Sequence, residues 1–323
     1  MSRHRFLFGC SFAISVLACV ALNSMARAQE SIPKPAVSSA SIANAQSNEK
    51  EHCLPHPLKY DDYNPGRNWT LDPNKPLAQR QKLFAAGEKC AQAGDWEAQN
   101  FIGSLYLMGS DLPGSFVQKD MSKARLYLNG AATHGNGRAM AKMAEIEISA
   151  RNYTAAMIWA QILGHYNPPL PSSLKVGDGY IAELLGRIQG ELDDRQWPEI
   201  NDRVRAFIAS YNAQIKSTVD EIISAKKSNG LSYSKSTSSG QMSRGDLPRA
   251  GFAEYMVAFK PDGTVAQALL LDAVPDPSLG KRVQSVAEGV QVTPSAKSDS
   301  RLRYALVPVN FEDSRYTLDK VSH

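Results

Sequence analysis

EAQNFIGSLYLMG (residues 97–109) and FVQKDMSKARLYLNGAATHG (residues 116–135) decide how this chain is read. Ala98, Ile102, Leu105 and Tyr106 fall at helical spacing and give one apolar stripe. Ala124, Tyr127, Leu128, Ala131 and Ala132 give a second. The stripes predict two amphipathic helices joined by a Gly-rich turn. A pair of this kind buries little surface alone and stacks on copies of itself.

Copies are present on both sides. Leu83, Phe84, Ala86, Gly87, Cys90 and Ala91 predict a preceding helix that closes at Gly94-Asp95. Ala139, Met143, Ala144 and Ile146 predict a following one, and Ala155, Ala156, Trp159, Ala160 and Leu163 another, capped by Asn152. Ala91 and Gly94 recur as Ala132 and Gly135, and Asp120, Ala124 and Tyr127 recur as Asn152, Ala156 and Trp159. A helix-turn-helix period in the thirties to forties is the signature of an α-solenoid. After Pro168, Pro169 and Pro171, stripes over 179–193 and 198–227 predict two capping helices. The solenoid is thus expected over 77–227.

The two quoted stretches resemble the Sel-one-like repeat, a short cousin of the tetratricopeptide repeat. Gly103 and Tyr106 carry the first-helix pattern, and Gly109, Val117, Asp120, Ala124, Tyr127, Ala131, Ala132 and Gly135 the rest. The resemblance covers about 82–166, with one well-matched unit and poorer copies beside it. It assigns Gly103, Tyr106, Ala124, Tyr127, Ala131, Ala132 and Trp159 to packing between helices.

Residues 228–250 are Ser-rich and read as a linker. From Gly251 the period becomes two. Tyr255, Val257 and Phe259 alternate with Glu254, Met256 and Ala258, a turn follows at Lys260-Pro261-Asp262-Gly263, and Val265 to Leu271 makes a second strand. Leu279, Val283, Val286 and Val290 predict a helix, and 302–311 a last strand. Ala305, Val307, Val309 and Phe311 share one side of it and Pro308 lies on the other, which marks an edge or a bulge. This β-β-α-β order is similar to the C-terminal domain of TonB over about 251–312. The matching residues are Val257 and Phe259, Pro261-Asp262-Gly263 with Val265, Val283 and Val286, Pro294, and Val307, Val309 and Phe311. The aromatic pair usual at the helix end is replaced by Gly289-Val290-Gln291-Val292. The resemblance implies capture of extended segments of outer-membrane receptors by strand addition, here at Ala305, Val307, Val309 and Phe311. The fold class is therefore a multidomain chain, an α-solenoid followed by a small α+β domain (251–323).

The remaining regions concern export. Arg3, His4 and Arg5, an uncharged run from Phe6 to Leu22, and Ala26-Arg27-Ala28 read as a signal peptide over 1–28, with a mature start at Gln29. Two alternatives are a retained membrane anchor and lipidation at Cys19. Residues 29–76 read as an extended segment, with prolines at 55, 57, 65, 73 and 76 in its part from 51 onward. Without residues 1–28 the formal charge falls from +4 to +1, which argues against a nucleic-acid surface. Cys53 and Cys90 would remain and could form a disulfide in an oxidising compartment.

Chemistry-bearing patterns are weak. His52, Cys53 and His56 lack a fourth ligand. Ser-x-x-Lys matches, among them those at Ser172, Ser224 and Ser232, lack partner motifs. No Gly-rich phosphate loop occurs. No catalytic, cofactor or metal residues are assigned. The expectation is a non-enzymatic, periplasmic or secreted scaffold for a protein or peptide partner of the bacterial envelope. Membrane contact is expected only if the N-terminal segment is retained. The alternatives are a TonB-type energy transducer and an unrecognised hydrolase.

Overall fold

The computed structural model describes residues 66–229, 233–234, 250–294 and 301–312. The signal and its cleavage site, Cys19, Cys53, His52, His56 and most of the Ser-rich linker lie outside these.

The helical part runs α1 (Gly66–Leu71), α2 (Leu77–Gln92), α3 (Trp96–Met108), α4 (Met121–Thr133), α5 (Gly137–Ser149), α6 (Tyr153–Tyr166), α7 (Asp178–Gln189) and α8 (Trp197–Asn229). Helix α1 replaces part of the segment expected to run extended. Its six residues fit between Pro65 and Pro73, so the prolines flank the helix and do not interrupt it.

The caps repeat with the helices. Asp95 accepts hydrogen bonds from the Glu97 and Ala98 amides at the start of α3, and Asn136 accepts one from Ala139 at the start of α5. Asp120 caps α4 through Ser122 and Lys123. Each such cap is worth about 1 kcal/mol. Before Asp95 and Asn136 stand Gly94 and Gly135, at φ 89° and 87°. That conformation costs other L-residues their Cβ clearance, so glycine ends α2 and α4 in the same way.

Helices α3 and α4 approach closely because Gly103 has no side chain. A Cβ there would lie 2.7 Å from the Leu128 side chain and 3.1 Å from its backbone nitrogen. The tight pairing brings the rings of Tyr106 and Tyr127 parallel, with centroids 6.1 Å apart. Gly103→Val is expected to lower stability by about 1–3 kcal/mol through overpacking. In a thermal melt that is a fall of roughly 3–10 °C; an unchanged midpoint would show that the helices can part without cost.

The C-terminal part comprises β2 (Ala250–Phe259), β3 (Val265–Val274), α9 (Ser278–Glu288) and β5 (Arg303–Glu312), with β1 (Tyr233–Ser234) pairing β4 (Gln291–Val292). The main sheet is antiparallel in the order β3-β2-β5. An antiparallel sheet can keep one face in water. Here β2 is buried along its whole length. Tyr255, Val257, Phe259, Val307 and Val309 pack against Leu279 and Val283 of α9. On the opposite face, Phe252 meets Tyr180 of α7 edge to face, with centroids 5.6 Å apart. The sheet is thus the middle layer between α9 and the repeat helices. Among the described residues no helix is long and apolar enough to cross a membrane.

Candidate functional site

Where the sheet meets the repeats, four charges are buried together. Arg138 and Lys142 stand one turn apart on α5, so both side chains leave the same face. Glu254 of β2 and Asp272 of β3 are direct cross-strand partners. A register shift just beyond this pair leaves Leu271 as an extra residue on β3 and keeps Asp272 opposite Glu254. None of the four side chains is more than 1 % exposed.

Two carboxylates directly opposite each other repel. The two cations of α5 answer that repulsion. Arg138 Nε donates to Glu254 Oε1 at 2.9 Å, and its terminal nitrogens reach the Ser173 and Lys175 carbonyls. Lys142 Nζ donates to Glu254 Oε2, to Asn100 Oδ1 at 3.1 Å and to Ser104 Oγ at 2.9 Å. It also lies 2.5 Å from Asp272 Oδ2, in an ion pair. α3 contributes Asn100 and Ser104, α5 the cations, and the sheet both acids.

The two acids respond in opposite directions. Burial pushes the Glu254 carboxyl up, but Lys142 and Arg138 together outweigh it and hold the group below the usual range. Burial also pushes Asp272 up. Lys142 opposes the rise and the Glu254 charge adds to it, leaving Asp272 at about 6.

Next to the cluster, Arg67, Trp96, Asn100, Glu254, Met256 and Leu306 border a cavity of about 40 Å³. That is room for about three waters. Ser104 beside Lys142 matches a nucleophile and an amine in type, yet Ser104 is fully buried and the 40 Å³ cavity does not reach it. The arrangement suits holding two layers together. Among the described residues no His, Cys, Asp and Glu cluster is placed to hold a metal.

The residues singled out in the sequence lie elsewhere. Tyr106 and Tyr127 both reach Glu88 Oε1, at 2.7 and 3.3 Å. Ala124, Ala131, Ala132 and Trp159 are buried between helices. Cys90 is buried on α2, and Cys53 lies outside the described residues.

The proposed strand-addition edge needs a shift of one residue. β5 is an edge strand, and it pairs with β2 in one unbroken register. Pro308 lies opposite Glu254 and has no N–H to donate, so that pair is a non-hydrogen-bonded one. Alternation then turns the backbone groups of Arg303, Ala305, Val307, Val309 and Phe311 toward β2. The Ala305, Val307 and Val309 side chains are buried against α9. The outward backbone groups belong to Tyr304, Leu306, Pro308 and Asn310.

No protein-family model matches the chain. No curated protein matches it. Among solved structures it is similar to the crystal structure of c5321, a protective antigen present in uropathogenic Escherichia coli strains displaying an SLR fold. The identity is 18 %, the TM-score 0.37, and the match covers 52 % of this chain and 32 % of that one. This chain therefore spans about a third of that protein's length. The likeness is slight, and the fold described above, repeat-like helices followed by a small antiparallel sheet with a helix, rests on the chain's own elements.

Proposed function

We propose that this chain is a non-enzymatic protein-binding scaffold of the bacterial envelope, exported through its N-terminal signal. In this reading the helical repeats carry the sheet, and β5 captures an extended segment of a partner such as an outer-membrane receptor. The observation that carries it is the outer edge of β5, where alternate backbone groups of a ten-residue strand face away from the sheet. The resemblance to the C-terminal domain of TonB supports the same use of this strand.

The test is a pair of proline substitutions with opposite expected effects. Asn310→Pro removes an outward N–H from an exposed position and is expected to keep the fold while weakening capture of an extended peptide. Val309→Pro removes a donor to β2 and is expected to unfold the sheet. A folded Asn310→Pro variant that binds as well as wild type would remove β5 as the capturing edge.

A second reading, a TonB-type energy transducer with an uncleaved anchor, is favoured by the strand order with the helix on one face of the sheet. N-terminal sequencing of the protein from the envelope separates the two. A start at Gln29 removes the anchor and with it the transducer.

A further inference from the structure

The sheet has a second open edge, and it differs from β5 in kind. Because the odd-numbered residues of β2 bond to β5, Met256 and Ala258 bond to β3. Their partners there are Leu269 and Gln267. The backbone groups of Ala268 and Leu270 therefore point outward, while Ala266 is the extra residue at a second register shift. No backbone hydrogen bond between elements reaches them among the described residues. β5 is blunted by Pro308. Val265 to Leu270 contains neither a proline nor a charge, and apart from the exposed Ala266 these residues are only half-buried. Edge strands lacking such devices are templates for pairing.

This edge does not face open solvent. It runs beside a groove of about 190 Å³ whose opposite wall includes Leu71, Leu112, Phe116 and Val117. The long loop between α3 and α4 supplies three of those four. Arg80 braces the loop, donating to the Thr70 and Gly114 carbonyls with its guanidinium over the Phe116 ring. The two charged residues lining the groove, Arg80 and Lys281, are both cationic. Lys281 is exposed on α9 at the rim, able to meet an incoming carboxylate.

We infer that this groove docks an extended peptide that adds a strand to β3, seats apolar side chains against Leu71, Leu112 and Phe116, and places a carboxylate at Lys281. This is a different edge from β5 and does not depend on capture there. A single apolar wall and a cationic rim select for alternating apolar residues with one acid.

The probe is a displayed library of random heptapeptides, selected on the full chain. Enriched peptides are expected to alternate apolar residues and to carry Asp or Glu. Ala268→Pro removes an outward N–H while leaving the β2 ladder intact, and is expected to weaken the selected peptides about five- to tenfold. Lys281→Glu leaves the groove's shape alone and is expected to weaken them about threefold or more. Asn310→Pro on β5 is expected to leave them unchanged. An absence of enrichment would overturn the inference, as would peptides that bind both groove variants like wild type. A wild-type dimer that Ala268→Pro dissociates would assign the edge to a second copy and overturn it as well.

Discussion

Lys142→Met is expected to lower the unfolding free energy by about 3–5 kcal/mol. The methionine fills similar space, so the loss comes from charge. Without Lys142, Asp272 has no cation within ion-pair distance among the described residues, and Glu254 stands opposite it with Arg138 as its remaining cation. Replacing both members of the pair behaves differently. Lys142→Met with Asp272→Leu leaves Arg138 on Glu254 and is expected to restore most of the lost stability, because a desolvated ion pair gains little over apolar packing. Urea unfolding of the two variants reads this directly. If Lys142→Met unfolds at the wild-type midpoint, water reaches the cluster and the ion pairs hold nothing.

The second large effect is on pH. Asp272 at about 6 in the folded chain lies above its ordinary value of 3.8. The folded state therefore binds more protons than the unfolded state between these values. Stability falls as pH rises through that window, by about 3 kcal/mol for this group alone. Glu254 acts with the opposite sign, since its folded carboxyl is held low. Its contribution is present above its unfolded value and is lost as pH falls below about 4. The two together place the cluster's best pH near about 4, where Glu254 is ionised in the folded chain and Asp272 still holds its proton. Asp272→Asn fixes the neutral form, so wild type is expected to lose stability relative to that variant as pH rises from 5 to 7.5. A constant difference between the two across that range would mean that Asp272 ionises freely when folded.

Most of the helical part was legible because its signals are local. Asp95, Asp120 and Asn152 cap the helices expected of them, and Gly103 marks the closest approach of α3 and α4. The β-β-α-β order was legible for the same reason: period-two runs, an Asp-Gly turn and one amphipathic helix. The interface between the parts was not. Glu254 and Asp272 were visible as lone acids in apolar strands, and Arg138 and Lys142 as two cations one turn apart on a helix rich in small and apolar residues. Their partnership spans 112 residues for Lys142 and Glu254, and no periodicity links positions so far apart. The β5 edge was found, but its inner and outer residues were exchanged. Hydrophobicity reports where side chains go, and the backbone's free groups follow the ladder, which only Pro308 betrays.

The placement of β2 also sets an order of events. It is the first strand of the main sheet in the chain, yet it is central, and it needs α5 against one face and β5 along one edge. Contacts between α5 and β2 close over more than a hundred residues, and those between β2 and β5 over about fifty. At a synthesis rate of roughly 5–20 residues per second, Arg138 and Lys142 emerge several seconds before any acid that will neutralise them. Until Glu254 and Asp272 have been made, the repeats carry two unanswered cations on the face the sheet will cover. A chain stopped short of β2 leaves Arg138 and Lys142 exposed together on that face, and a holding factor with an acidic patch is suited to carry it.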